Sequence, residues 1–304
     1  MVFKNIRSVI MLFISLFALT TYAQNVEGVA TYQTKTTIDM SRFTRDGQQM
    51  SEQRKKQIME RMKNFLEKEF TLTFTNNESF YKEEEKLATP GQGGGGRFGG
   101  SFSQGGIYKN IKENTYAREN DMFGKVFLVN DTINNLQWEL VKESKMIGQY
   151  PVFKAVATRK IEQNLFSRLG RRGRNNRSQN QKENDTLKTA NADDKVAEVE
   201  EPKTETITAW YTPMIPASHG PDDFGGLPGL ILELSTSNTT MLCTKVVLNP
   251  KEEIVIEVPE KGKKVTREEY AEIVEEKAKE MAERFGGGNR RGGGGRRGGG
   301  RFGG

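Results

Sequence analysis

FTLTFTNNESFYKEE, Phe70–Glu84, reads as two short strands around Asn76-Asn77, a residue pair suited to a tight hairpin turn. The same grammar recurs on both sides of it. VEGVATYQTKT (Val26–Thr36) alternates with period two. GIYKNIKENTYARE (Gly106–Glu119), MFGKVFLVND (Met122–Asp131) and LQWELVKES (Leu136–Ser144) each read as extended. In the last of these, Leu136, Trp138 and Leu140 would share one face. GQYPVFKAVATRK, ETITAWYTP, LILELST, TTMLCTKVVLN and EIVIEV complete the series. About ten strands joined mostly by short turns predict a mainly β fold. The expectation is a single domain built on a curved antiparallel sheet or incomplete barrel.

Two stretches break the pattern with helical spacing. Gln49–Glu69 carries Ile58, Met62, Phe65 and Leu66 along one stripe. Thr266–Arg284 opens with the capping box Thr266-Arg267-Glu268-Glu269 and places Tyr270, Ile273, Val274, Ala278 and Met281 on one side. Both are expected to lay an apolar stripe on the sheet.

Three segments lack the apolar content to join a core. They are Thr89–Gly106, Glu162–Thr204 and the C-terminal Phe285–Gly304, the first and last glycine-rich and the middle one charge-rich. Arginine is concentrated in these segments, so the formal +6 charge describes tails rather than the folded surface. Roughly 200 residues remain, which suits one domain.

The N-terminus reads MVFKNIRSVIMLFISLFALTTYAQ. Lys4 and Arg7 precede an apolar run, Val9–Leu19, too short to span a bilayer, and Ala23 ends a cleavage-like Thr-Tyr-Ala. Residues 1–23 are therefore expected to be a signal peptide and the mature chain to be exported, without a transmembrane span. Residues 24–284 would be the β-rich domain and 285–304 a disordered tail. The single cysteine, Cys243, cannot form an internal disulfide, and its apolar strand context predicts a buried, inert thiol.

The one histidine, His219, stands in HGPDDFGGLPGLILEL, His219–Leu234. It would be the sole base for a serine-type triad, and one histidine rules out zinc sites that need two. His219, Asp222 and Asp223 supply three potential metal ligands without a fourth, and the two aspartates have no nucleophile or oxyanion donor beside them. No cofactor and no catalytic activity are expected. Leu227-Pro228-Gly229-Leu230 has the chemistry of a type II turn leading into a strand with Leu230, Leu232 and Leu234 on one side. The whole connection from Ala209-Trp210-Tyr211, stiffened by Pro213, Pro216 and Pro221, is long for a compact domain, and such loops are functional or tightly packed.

These residues resemble the GLPGLI family, whose signature stands here as Gly226-Leu227-Pro228-Gly229-Leu230-Ile231. "ITAWYTPMIP", "LQWELVKESKMIGQYPVFKAVA" and "GVATYQTK" are similar to that family as well, so the resemblance extends over Val26–Glu283. It implies an exported protein of Bacteroidetes-type bacteria, without established activity, encoded near TonB-dependent outer-membrane receptors. Family members commonly carry a cysteine in the strand that reads GQYPVFKA here, where this chain has none.

The leading expectation is thus a periplasmic interaction or accessory protein associated with a TonB-dependent receptor system. Its interaction residues would be Trp210, Tyr211, His219, Asp222 and Asp223, with Arg290, Arg291, Arg296, Arg297 and Arg301 in the tail. That tail would attract acidic loops or lipopolysaccharide phosphates. The alternative expectation is a carrier holding an apolar or peptide ligand inside the curved sheet. Export argues against nucleic acid as a partner despite the Arg/Gly-rich tail.

Overall fold

The computed structural model describes residues 26–38, 51–84, 102–160 and 204–286. They form one twelve-stranded sheet with two helices. The strands are β1 (Gly28–Thr36), β2 (Glu67–Phe74), β3 (Glu78–Glu83), β4 (Phe102–Asn110), β5 (Thr115–Met122) and β6 (Lys125–Thr132), then β7 (Glu139–Ile147), β8 (Tyr150–Lys160), β9 (Thr204–Thr212), β10 (Leu230–Ser235), β11 (Thr239–Leu248) and β12 (Lys263–Val265). The helices are α1 (Glu52–Leu66) and α2 (Arg267–Gly286).

The order across the sheet is β12-β6-β5-β4-β3-β2-β1-β11-β10-β9-β8-β7. It consists of two antiparallel meanders, β1 to β6 and β7 to β11, joined by a ladder between β1 and β11. β12 returns to pair in parallel with β6, so the sheet is mixed, and it does not close. Residues 133–138 alone connect β6 to β7, which lie near opposite edges. A flat sheet would separate those strands by about 48 Å at about 4.8 Å per strand. The link spans at most about 25 Å fully extended. The sheet must therefore curl until its edges approach one another, and the short link is what dictates the concavity.

The hairpin that opened the sequence reading is β2–β3, turning at Thr75–Asn77, with Phe70↔Glu83 and Leu72↔Tyr81 in register. Several boundaries differ from the expectation. The first helix ends at Leu66, and Glu67, Lys68 and Glu69 pair instead with Lys35, Thr34 and Gln33 of β1. Ser51 caps it by accepting the Arg54 amide, while Gln49 and Met50 lie outside the described residues. Along α1 only Leu66 is buried, so the helix meets the sheet through its C-terminal end. Gly106–Glu119 is two strands, β4 and β5, around a turn at Ile111–Asn114, and Met122–Asp131 likewise turns at Phe123-Gly124.

The glycine-rich stretch Thr89–Gly106 also ends differently from its reading, because β4 already begins at Phe102. Gly106 lies beneath the Phe80 ring, where any Cβ would collide with the aromatic carbons, so glycine here serves close packing. Leu136 and Trp138 precede β7 and pack on a cluster with Phe224 and Leu227, whereas Leu140 is 63% exposed. EIVIEV forms no strand. It crosses the outer face of the sheet, where Ile256, like Phe80, packs on Tyr108, Ala117 and Leu128; lying on a face rather than at an edge, its backbone has no ladder to join.

α2 keeps its predicted start and stripe. Thr266 Oγ1 accepts the Glu269 amide and Glu269 Oε2 accepts the Thr266 amide, the reciprocal pair of a capping box. Tyr270, Ile273 and Val274 pack on the main core cluster, Ala278 is buried, and Tyr270 meets Phe127 edge-on at 5.8 Å between centroids. Cys243 is a buried thiol whose pKa burial pushes up to about 12, which leaves it protonated and inert. Among the described residues no helix is long and apolar enough to cross a membrane. The leader-like residues 1–23, the Glu162–Lys203 segment and the tail arginines lie outside the described residues.

Candidate functional site

The connection from Pro213 to Gly229 runs between β9 and β10 and plugs the curl. Ile215, Ala217, Phe224 and Leu227 are buried along it. A buried loop must find partners for its backbone, and this one draws them from both meanders. Lys109 of β4 is 3% exposed, and its Nζ donates to Asp222 O at 3.0 Å and Phe224 O at 2.7 Å. Trp138 Nε1 donates to Gly225 O at 2.9 Å, and just past the loop the Tyr32 hydroxyl donates to Ile231 O of β10 at 2.7 Å. His219, 1% exposed, donates from Nε2 to Thr75 O at 3.0 Å in the β2–β3 turn. Arg159 of β8 stacks over Phe224 at 5.0 Å and reaches Asp223 at 3.7 Å.

Two pKa values record this enclosure. Burial lowers Lys109 to about 8, and Asp223 and Asp222 oppose the shift without cancelling it. Burial and then the Lys109 charge lower His219 to about 3, which makes it a neutral imidazole fixed as a donor at Nε2.

The signature turn is tighter than a type II turn. The Gly229 amide bonds to Leu227 O at 2.8 Å, closing a three-residue γ-type turn around Pro228. The Leu230 amide goes instead to Ile215 O at 3.0 Å, and the Ile231 amide to His219 O at 3.1 Å. Gly229 sits at φ +153° with its Cα against the Thr212 carbonyl, leaving no room for a Cβ. Gly226-Leu227-Pro228-Gly229-Leu230-Ile231 is therefore the end of the plug, with Leu227, Leu230 and Ile231 buried.

Beyond the plug the ladder register places the residues of the sheet's inner face in cross-strand rows. Met241, Thr34 and Lys68 form one row across β11, β1 and β2. Tyr32, Phe70 and Glu83 form the next, and Leu72, Tyr81, Ile107 and Arg118 the one deeper in. A cavity of about 580 Å³ lies over these rows, bounded by Phe65 and Leu66 at the end of α1 and by Asp222 of the plug. Thr36 and Thr239 flank it, their hydroxyls 3.1 Å apart. Lys68 and Glu83 pair at 2.7 Å across its wall. Tyr81 is stacked on Phe70 at 4.8 Å and is 3% exposed, and its hydroxyl has no hydrogen-bond partner. Burial, then Asp222, raises the Tyr81 pKa, so the phenol keeps its proton. Burial and then Asp223 raise that of Asp222, against the lowering influence of Arg118 and Lys109.

The residues singled out in the sequence divide by role. Tyr211 is buried in the cluster with Phe224 and Leu227, while its neighbour Trp210 packs against the main core cluster with Lys145 4.3 Å above its ring. Asp222 and Asp223 diverge: the first borders the large cavity, the second turns to Arg159 and a cavity of about 50 Å³ beside His219. Among the described residues no group of three or more His, Cys, Asp or Glu side chains is placed to hold a metal. Tyr81, Arg118 and Lys109 escaped the sequence reading. Their spacing carries no motif, and only the register and curl bring them to Asp222.

With that geometry in hand, comparison with known proteins gives one family. Residues 138–233 match the model of a family described as a protein of unknown function, Porph_ging. The Porph_ging match takes in about a third of the chain, from Trp138 through β7–β10 and the whole plug. It is a Bacteroidetes-associated family. Of the cavity, the Porph_ging region contributes Asp222, while β1–β5 and β11 supply most of the walls. No curated protein matches the chain. Two solved structures of PNGF-II, in C2 and P21 space groups, resemble it with TM-scores of 0.42 at 12% and 14% identity. The matches cover 82% and 83% of this chain and 32% and 33% of those, so the chain spans about a third of their length.

Proposed function

We propose that the chain is a non-catalytic exported binding protein that holds an amphipathic ligand in the cavity between Asp222 and the end of α1. The observation that carries this reading is the cavity itself. At about 580 Å³ it falls in the range of small-molecule sites, and it is floored by sheet rather than by loops. Its lining mixes Phe65, Phe70, Ile107 and Met241 with Tyr81, Arg118 and Asp222. A wholly apolar occupant would strand those polar groups away from water, at about 1–3 kcal/mol each, so the ligand carries a polar end. The leader-like N-terminus supports an extracytoplasmic, periplasmic setting. The GLPGLI resemblance supports an accessory role beside a TonB-dependent receptor system, with the tail arginines as a further contact.

Titration of the purified full chain with the neutral fluorophore N-phenyl-1-naphthylamine tests the cavity. Saturable, blue-shifted emission is expected, suppressed by Thr239→Trp, which sets an indole across the opening. Emission that is unsaturable, or unchanged in the variant, refutes the site. Co-purification of outer-membrane proteins with and without residues 285–304 tests the receptor association separately.

A further inference from the structure

We infer that α1 is an interfacial helix, which lays the apolar stripe it does not spend on the sheet against an anionic lipid surface. The fold has two amphipathic helices and uses them differently. α2 packs Tyr270, Ile273 and Val274 on the core and buries Ala278. α1 carries a comparable stripe, yet only Leu66 of it is buried, and Met59 and Phe65 are exposed. At about 100° per residue, Ile58, Met59, Met62, Phe65 and Leu66 fall within an arc of about 120°. An arc that wide ordinarily seats a helix on a core. Among the described residues the main contacts of α1 are with β1 and β2, at its C-terminal end.

The charges beside the arc select what covers it. Arg54 and Arg61 border it on one side and Lys56 and Lys63 on the other, while the far side carries Gln53, Gln57, Glu60 and Asn64. Two of the helix's five basic residues are already engaged, Lys55 with Glu52 at 2.6 Å and Lys63 with Glu67 at 3.9 Å. Arg54, Lys56 and Arg61 are exposed and form no ion pair among the described residues. Cations on both borders of an apolar stripe suit a helix lying in a headgroup layer. Their stems run beside the acyl chains while the charged ends stay with the phosphates. A second copy of α1 would instead bring like charges together. Phe65 and Leu66 end the stripe and also line the cavity, so a bilayer beneath α1 stands at the cavity's edge. On the cavity reading above, an amphipathic ligand would pass between lipid and cavity without crossing bulk water. The membrane contact itself stands on the helix alone.

A fluorophore at position 59 reads the contact. Met59 lies off the cavity wall and Cys243 is buried, so Met59→Cys in the full chain takes a thiol-reactive nitrobenzoxadiazole label at one place. On vesicles of phosphatidylcholine with about a quarter phosphatidylglycerol, the label should brighten severalfold and shift to the blue. The same label at Gln57→Cys, across the helix, should stay as in water. Each basic residue near an anionic surface is worth about fivefold in affinity. Exchanging Arg54, Lys56 and Arg61 together for glutamine, a comparable helix former, should therefore weaken binding by roughly a hundredfold. A chain that sediments with the vesicles while position 59 stays dim is held by its arginine-rich tail, which overturns the helix contact. Equal brightening at 59 and 57 overturns it, as does brightening that needs no vesicles and grows with protein concentration. Undiminished binding by the triple variant overturns it too. Uptake of N-phenyl-1-naphthylamine, measured without vesicles, reports the cavity alone, so failure of the membrane contact and failure of the cavity reading are told apart.

Discussion

Replacing Lys109 with methionine removes the one side chain that holds two carbonyls of the plug, Asp222 O and Phe224 O, at 3.0 and 2.7 Å. Two buried carbonyls left without donors cost about 1–3 kcal/mol each, or about 2–6 together. Against this stands the desolvation that lowers Lys109 from its ordinary 10.5 to about 8, equivalent to roughly 3 kcal/mol against burying the ammonium. Near neutral pH the two largely offset, so the variant should lie between a gain of about 1 and a loss of about 3 kcal/mol. The sign at higher pH is different. Between about pH 8 and 10.5 the unfolded lysine keeps its proton while the folded one sheds it, so wild-type stability rises with pH. The neutral amine retains two N–H groups, one for each carbonyl. The deficit of Lys109→Met should therefore widen by roughly 3 kcal/mol across that window and reach the full 2–6 above it. Urea unfolding of both proteins at half-unit steps from pH 7 to 10.5 measures this, and subtraction cancels the titrations they share. A difference that stays flat over that window refutes the buried, carbonyl-bound lysine.

Gly229→Ala should destabilise by about 2 kcal/mol or more, because a Cβ meets the Thr212 carbonyl at φ +153°, and thermal unfolding should show a fall of several degrees. His219 stays neutral to about pH 3 when folded but takes a proton near 6.5 when unfolded, so wild-type stability should decline as pH falls through that interval. His219→Gln, able to donate to Thr75 O in the same way, should flatten that decline in acid unfolding curves. Thr266→Ala removes one half of the α2 capping box and should cost about 1 kcal/mol, read as faster amide exchange over the first turn of the helix.

Most of the sheet was legible because alternation and turn pairs are local signals. The hairpin at Asn76-Asn77 and the α2 capping box stand where their residues place them, and β10 starts at Leu230, but a bulge between Ile231 and Glu233 puts Leu234 in a cluster with Ile231 rather than with Leu230 and Leu232. Errors fell where a tertiary contact overrides a local signal. Glu67–Glu69 continue a helical pattern but have β1 to pair with, Gly106 belongs to a glycine-rich run but is needed under Phe80, and EIVIEV alternates but lies on a face. The site was legible by halves. The Gly226–Ile231 signature pointed to the plug, and Asp222 was singled out with it. Tyr81, Arg118 and Lys109 come from strands that reach Asp222 only because six residues between β6 and β7 force the sheet to curl. Nothing in a strand's own alternation records that.

Native mass spectrometry of the protein recovered from its native cells tests the central claim most directly. A bound small amphiphile should add mass to the wild-type chain and be absent from Thr239→Trp, whose cavity opening is blocked. Recovery of the bare wild-type mass, or of the same adduct on both proteins, would contradict a ligand held over Tyr81 and Asp222.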